Sequence, residues 1–263
     1  MPSVLAIAAH PDDIEFLFAG TMLQLAAAGW DLHYVNLCDG SKGSTTTDNE
    51  TTARVRTEEA QAACEVLGAK WYPPIFADME AAYRHEHVRK VSAYVRQAQP
   101  SIVLTHSPSD YMEDHEISCR LAVTAAFTHA MPNFPSDPAE QTFAHGIRVH
   151  HAQPYGNRTP LGEKITPHYF VDTTDVIDRQ LESLACHASQ KQWLDESQGL
   201  GSYLDQMKKL AAEVGHMSGR FRFAEGWRRR EHLGFCDSDH DPLPEALGDL
   251  ACRPVGRDSG ANS

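Results

Sequence analysis

Short apolar runs alternate with longer amphipathic stretches through the first 130 residues, and that alternation leaves few folds open to the chain. Val4–Ala9 is apolar throughout and ends at His10-Pro11-Asp12-Asp13, the pattern of a strand buried on both faces. Phe16, Ala19, Leu23 and Ala27 recur at helical spacing, so a helix is expected from about Ile14 to Ala28, stopped by Gly29. Asp31–Cys38 reads as a second strand, Arg54–Leu67 as a helix closed by Gly68, and Trp71–Phe76 as a strand interrupted by Pro73-Pro74. A helix over His85–Gln97, a strand over Ser101–His106 and a helix over about 114–130 complete the series. Strands and helices alternating at these lengths imply a Rossmann-like α/β fold, a mostly parallel sheet with right-handed crossovers and flanking helices.

Beyond Met131 the pattern weakens. Residues 132–146 read as a Pro-rich loop, Arg148–Gln153 and His168–Asp172 as late strands, and Thr174–Leu194 and 203–214 as helices. From Asp237 the chain is acidic and poor in large apolar side chains. Residues 1–236 are therefore expected to form the domain, and 237–263 a partly disordered tail.

Charge narrows the partners. The chain carries 36 acidic against 23 basic side chains, a net −13 with no compensating basic patch, so nucleic acid is excluded and an anionic membrane is disfavoured. No apolar run is long enough for a membrane span. The first residues lack the basic region of a signal peptide, and the cytoplasm is the expected location. The six cysteines are scattered without C-x-x-C spacing, which argues against a thiolate metal site and fits a reducing compartment.

Chemistry concentrates where the first strand ends. His10 and Asp13 lie three residues apart across a tight turn fixed by Pro11, so an imidazole and a carboxylate can converge on one cation. Asp12 then points elsewhere, and water on that cation is its natural target. The plain alternative is a capping aspartate beside an accidental histidine. A catalytic zinc takes three protein ligands and keeps a position open. His115, in the first turn of the helix after the Ser101–His106 strand, is the candidate third ligand, although alone it would read as an ordinary helix residue. Other histidines fit less well: His85 and His87 fall on nearly opposite helix faces, and His150 and His151 point apart on a strand. His106 reads equally as a metal neighbour or a packed strand-end residue. Asp39–Ser44 resembles a phosphate cradle only loosely and reads better as a loop at the mouth of the site.

Ala9-His10-Pro11-Asp12-Asp13, Gly20-Thr21, the helix bearing Arg56 and Glu59, and Asp114-His115 together resemble the LmbE/PIG-L family of zinc-dependent N-acetylglucosaminyl deacetylases. His187-Ala188-Ser189-Gln190 and Ala224-Glu225-Gly226-Trp227 are similar to late segments of relatives. The resemblance spans about residues 3 to 236. It implies that His10, Asp13 and His115 bind Zn2+, or another divalent metal, and that Asp12 is the general base. It also implies substrate contacts at Arg56 and Asp78, each of which reads equally as a salt-bridge partner, and His187 is a further candidate contact. The expected activity is removal of an N-acetyl or related N-acyl group from a small-molecule amino sugar or its glycoside. Many relatives form homo-oligomers, and the sequence neither requires nor forbids one. Where relatives carry a histidine two residues before the Asp-His pair, this chain has Met112. His187 and Asp110 are the candidate replacements for the lost acid. A catalytically impaired metal-binding member with a regulatory or structural role is the alternative reading.

Overall fold

The computed structural model describes residues 1–190 and 203–254. Eight strands form one mixed sheet in the order β3-β2-β1-β4-β5-β7-β6-β8. Strands β1 (Ser3–Ala8), β2 (Asp31–Asn36), β3 (Lys70–Tyr72), β4 (Ile102–Thr105) and β5 (Arg148–Ala152) pair in parallel. Strands β6 (Tyr169–Asp172), β7 (Ala224–Arg229) and β8 (Ala251–Cys252) add an antiparallel side. The expected α/β architecture is therefore the observed one.

Along β1 the side chains alternate between two cores. Val4, Ala6 and Ala8 pack with Ile14, Met22 and Tyr34 on one face, and Leu5 and Ile7 with Val35, Val91 and Leu121 on the other. The chain winds from β1 to β2 and β3 in one direction, then crosses to β4 and β5 in the other. A crevice opens at that switch, beyond the carboxyl ends of β1 and β4, where open α/β sheets place their ligands. His10 leaves β1 there and His106 leaves β4.

Among the described residues the helices include α1 (Asp13–Leu17), α2 (Ala19–Ala27), α3 (Asn49–Leu67), α4 (His85–Ala98), α5 (Glu113–Phe127), α6 (Ile177–Ala185), α7 (Tyr203–Ser218) and α8 (Pro242–Leu247). The single helix expected from Ile14 to Ala28 is divided at Phe18, whose backbone (φ −127°, ψ −24°) leaves the helical region. A buried carboxylate makes the break affordable: Glu225 Oε1 and Oε2, from β7, accept the Gly20 and Thr21 N–H groups at 2.8 Å each. These are donors that a new helix start leaves without intrahelical partners. Gly20 is required here, because a Cβ would stand 2.4 Å from Thr173 Cγ2.

The expected acidic tail is corrected as far as Pro254. Leu243 and Leu247 of α8 join the core beside Met22 and Trp227. Asp241 accepts a hydrogen bond from the Tyr169 hydroxyl at 2.7 Å, and β8 pairs with β6. A few well-placed apolar residues, one buried carboxylate and the Arg148 guanidinium, which donates to the carbonyls of Asp237, Ser238 and His240, dock a segment that reads as acidic and apolar-poor. Residues 255–263 lie outside the described residues, as do 191–194 of the expected Thr174–Leu194 helix. Among the described residues no helix is long and apolar enough to cross a membrane.

Candidate metal centre and active site

The turn after β1 folds back on itself. Asp13 Oδ2 accepts the His10 N–H at 2.7 Å, which draws the Asp13 carboxylate back toward His10. His10 Nδ1 lies 3.6 Å from Asp13 Oδ2, and His115 Nε2, from the first turn of α5, lies 3.3 Å from Asp13 Oδ1. The second nitrogen of each imidazole is held by a carboxylate: His10 Nε2 is 3.1 Å from Asp114 Oδ2, and His115 Nδ1 is 3.0 Å from Asp110 Oδ1. With those nitrogens donating, the lone pairs of His10 Nδ1 and His115 Nε2 face the Asp13 carboxylate. Lone pairs facing an anion demand positive charge between them, supplied by protons or by a cation.

The protonation of the residues agrees. Burial pulls His10 down, but hydrogen bonds to Asp114 and Asp13 outweigh it and raise the imidazole to about 9. Burial likewise opposes charge on His115, yet Asp13 and the Asp110 hydrogen bond raise it to about 10. Burial opposes charge on Asp13, but the charge of His115 and the His10 hydrogen bond hold it well below the usual carboxylate range. Two imidazoles and a carboxylate, each imidazole braced by a further carboxylate, are a donor set and outer shell that could hold a divalent cation.

Three groups among the described residues bring ligand atoms within 4.8 Å of one another: His10, Asp13 and His115; His10, Cys38 and Asp114; His106, Asp110 and His115. The second and third use carboxylates already engaged by the imidazoles. Burial pushes the Cys38 thiol far up, away from the thiolate a metal needs. Only the first group lies wholly on the wall of the large cavity, of about 430 Å³. His106 serves behind it. Its Nε2 accepts the Ala9 N–H at 2.9 Å, and its ring stacks on His115 at 4.1 Å with 11° between planes.

Asp12 stands beside this cluster on the same cavity. Burial pushes its carboxyl group up, against the pull of Arg56, whose Nη2 is 3.6 Å from Oδ1. Arg56 projects from α3, 2% exposed, and donates to the Pro11 carbonyl and to Gln190 Oε1. Gly43 lies against its guanidinium, leaving no room for a Cβ, which would sit 2.7 Å from Arg56 Nη1. Asp78 also lines the cavity, but both its oxygens are occupied: Oδ1 accepts the Gly40 N–H at 2.7 Å and Oδ2 the Lys42 N–H at 3.0 Å. It holds the loop expected at the mouth of the site, and Lys42 and Gly43 of that loop line the cavity.

Two expectations are corrected. His187 is fully buried away from the cavity wall, with Nε2 3.2 Å from Glu15 Oε2, so it is neither a substrate contact nor a replacement acid. Asp110 is a brace for His115 and likewise does not line the cavity. Met112 does line it. The sequence reading missed an aromatic wall on the cavity that His10, Asp13 and His115 line. Phe16 packs on Tyr155 and Tyr203 with ring centroids 5.7 and 5.5 Å apart, and Tyr111 on Tyr155 at 5.8 Å. Tyr203 donates a hydrogen bond to Asp12. No local spacing signals these residues, which converge from four separate segments.

The chain belongs to the PIG-L family, described as GlcNAc-PI de-N-acetylase, whose profile matches residues 5–127. Diacetylchitobiose deacetylase from Thermococcus kodakarensis is 32% identical over 233 residues, covering 86% of this chain and 82% of that protein. The 4-oxalmesaconate hydratase of Pseudomonas putida is 29% identical over 203 residues, covering 72% and 74% respectively. The solved structure of N,N'-diacetylchitobiose deacetylase from Pyrococcus horikoshii, complexed with its inhibitor MPG, is alike in fold. Its TM-score is 0.73 at 24% identity, over 92% of this chain and 88% of that one.

Proposed function

We propose that the protein is a zinc-dependent hydrolase that removes an N-acetyl or related N-acyl group from an amino sugar or its glycoside. The observation that carries the reading is the convergence of His10, Asp13 and His115 beside Asp12 on the wall of one cavity. The diacetylchitobiose deacetylase relative supports the substrate class.

His10, Asp13 and His115 hold the metal, which when bound supplies a Lewis acid for the acyl oxygen. Asp12 takes a proton from the attacking water. Its upward-shifted carboxyl group suits that task, since a base works best with a pKa near the operating pH. Arg56 anchors the Pro11 carbonyl and so fixes the turn that carries Asp12. Met112 has no proton to give to the departing amine, so the proton held by Asp12 is the one returned. The aromatic wall offers flat apolar faces to the carbon face of a sugar ring.

The test is release of acetate from a panel of N-acetyl amino sugars and their glycosides, with chelator and with zinc restored. Zinc-restored release carries the reading. Stoichiometric zinc without release from any member favours the impaired, metal-binding alternative. Water added across a carbon–carbon double bond, with no acyl release, would instead align the chain with its hydratase relative.

A further inference from the structure

Asp12 is gripped from two sides by groups distant in sequence. Its φ of 106° is in the left-handed region, costly for a residue with a Cβ, so the turn aims its carboxyl group at a set place. Tyr203, the first residue of α7, donates its hydroxyl hydrogen to Asp12 Oδ2. Arg56 spends Nη1 on Gln190 and Nη2 on Pro11, so at 3.6 Å it offers Oδ1 charge rather than a hydrogen bond. Tyr203 is 3% exposed, lines the cavity and packs on Phe16. Burial and the Asp12 charge hold its phenol protonated, so it is a donor.

We infer that Tyr203 is a positioning residue that reserves Asp12 Oδ2 as an acceptor and leaves Oδ1 as the oxygen that shuttles the proton. The inference rests on the hydrolase reading above. Water gives one proton to Oδ1 while its oxygen bonds to the acyl carbon. The carbon–nitrogen bond then breaks, its electron pair stays on nitrogen, and Oδ1 returns the proton to that nitrogen. Water and amide become carboxylic acid and amine, and Asp12 ends as it began. Oδ2 accepts from Tyr203 whether or not Oδ1 carries the proton, so one geometry serves both transfers. A chain with Met112 on this wall places both transfers on Asp12, and a carboxyl group free to rotate would lose the second.

The experiment is a double-mutant cycle on zinc-loaded protein, following acetate release. Tyr203→Phe is expected to lower kcat about 10- to 100-fold, the worth of one hydrogen bond to a charged group, with KM within about 3-fold and zinc content unchanged. In the Asp12→Asn background the same change is expected to alter the residual rate less than about 2-fold, because Tyr203 acts through Asp12. Multiplicative losses, or wild-type kcat in Tyr203→Phe, overturn the inference. Should that variant not fold, replacement of Tyr203 by 2,3,5-trifluorotyrosine keeps the ring and hydroxyl but strengthens the donor. A kcat changed by more than about 2-fold then supports the inference, and an unchanged kcat overturns it. Wild-type protein that releases no acyl group overturns the hydrolase reading and this assignment together. Turnover that is indifferent to Tyr203 overturns the assignment alone.

Discussion

Asp110 and Asp114 play matching parts, each holding the outer nitrogen of an imidazole whose inner nitrogen faces Asp13. Asp110→Asn keeps the shape of the turn and removes the charge that fixes the His115 tautomer. It is expected to weaken zinc binding about 10- to 100-fold, the usual cost of losing such a brace, as read by competition with a chromogenic chelator. An unchanged affinity would leave Asp110 as a turn residue that accepts the Met112 N–H. Asp12→Asn is expected to lower kcat by about 10²- to 10⁴-fold while zinc stays stoichiometric; full turnover would remove Asp12 as the base. The grouping of His10, Asp12 and Asp13 was legible because the turn compresses them into four residues, and His115 because it opens the helix that follows the Ser101–His106 strand. His187 misled because a histidine in a family-like segment says nothing about which wall it faces. Tyr203 was illegible, since its partner lies 191 residues away along the chain.

Elements show the same division between local and distant causes. The parallel half of the sheet follows from apolar runs that need only be buried. Strand β7, Ala-Glu-Gly-Trp-Arg-Arg, has neither alternation nor apolar continuity, and it joins β5 to β6 because distant groups satisfy it. Glu225 caps α2, and the Trp227 indole N–H donates to Thr21 Oγ1 at 2.8 Å. Glu225→Ala would leave two buried amides at the start of α2 without their acceptor. A loss of about 3 kcal/mol is expected by urea unfolding, and one below about 1 kcal/mol would mean that another group takes over the cap.

For the molecule as a whole, buried histidines beyond the cleft set a response to acid. His150 is fully buried between Arg148 and Asp241, but Asp241 is already engaged by Tyr169 and Arg229. Burial therefore prevails and pushes His150 down from 6.5 to about 3. The unfolded chain binds a proton here below 6.5 and the folded chain does not until about 3, so this contribution to stability is lost as pH falls through that window. In His150→Leu the slope of unfolding free energy against pH, between roughly 6 and 4, is expected to flatten by about 1.4 kcal/mol per pH unit. An unaltered slope would mean that His150 is already charged in the fold. On the antiparallel side, β8 occupies the open flank of β6 through the pairs Phe170↔Cys252 and Val171↔Ala251. Those two residues keep a row of backbone donors and acceptors spent within one chain. A shortened protein ending at 236 would present that row to any neighbouring strand, and copies would add edge to edge. Self-association in such a truncated preparation would then report a missing β8, not a native assembly.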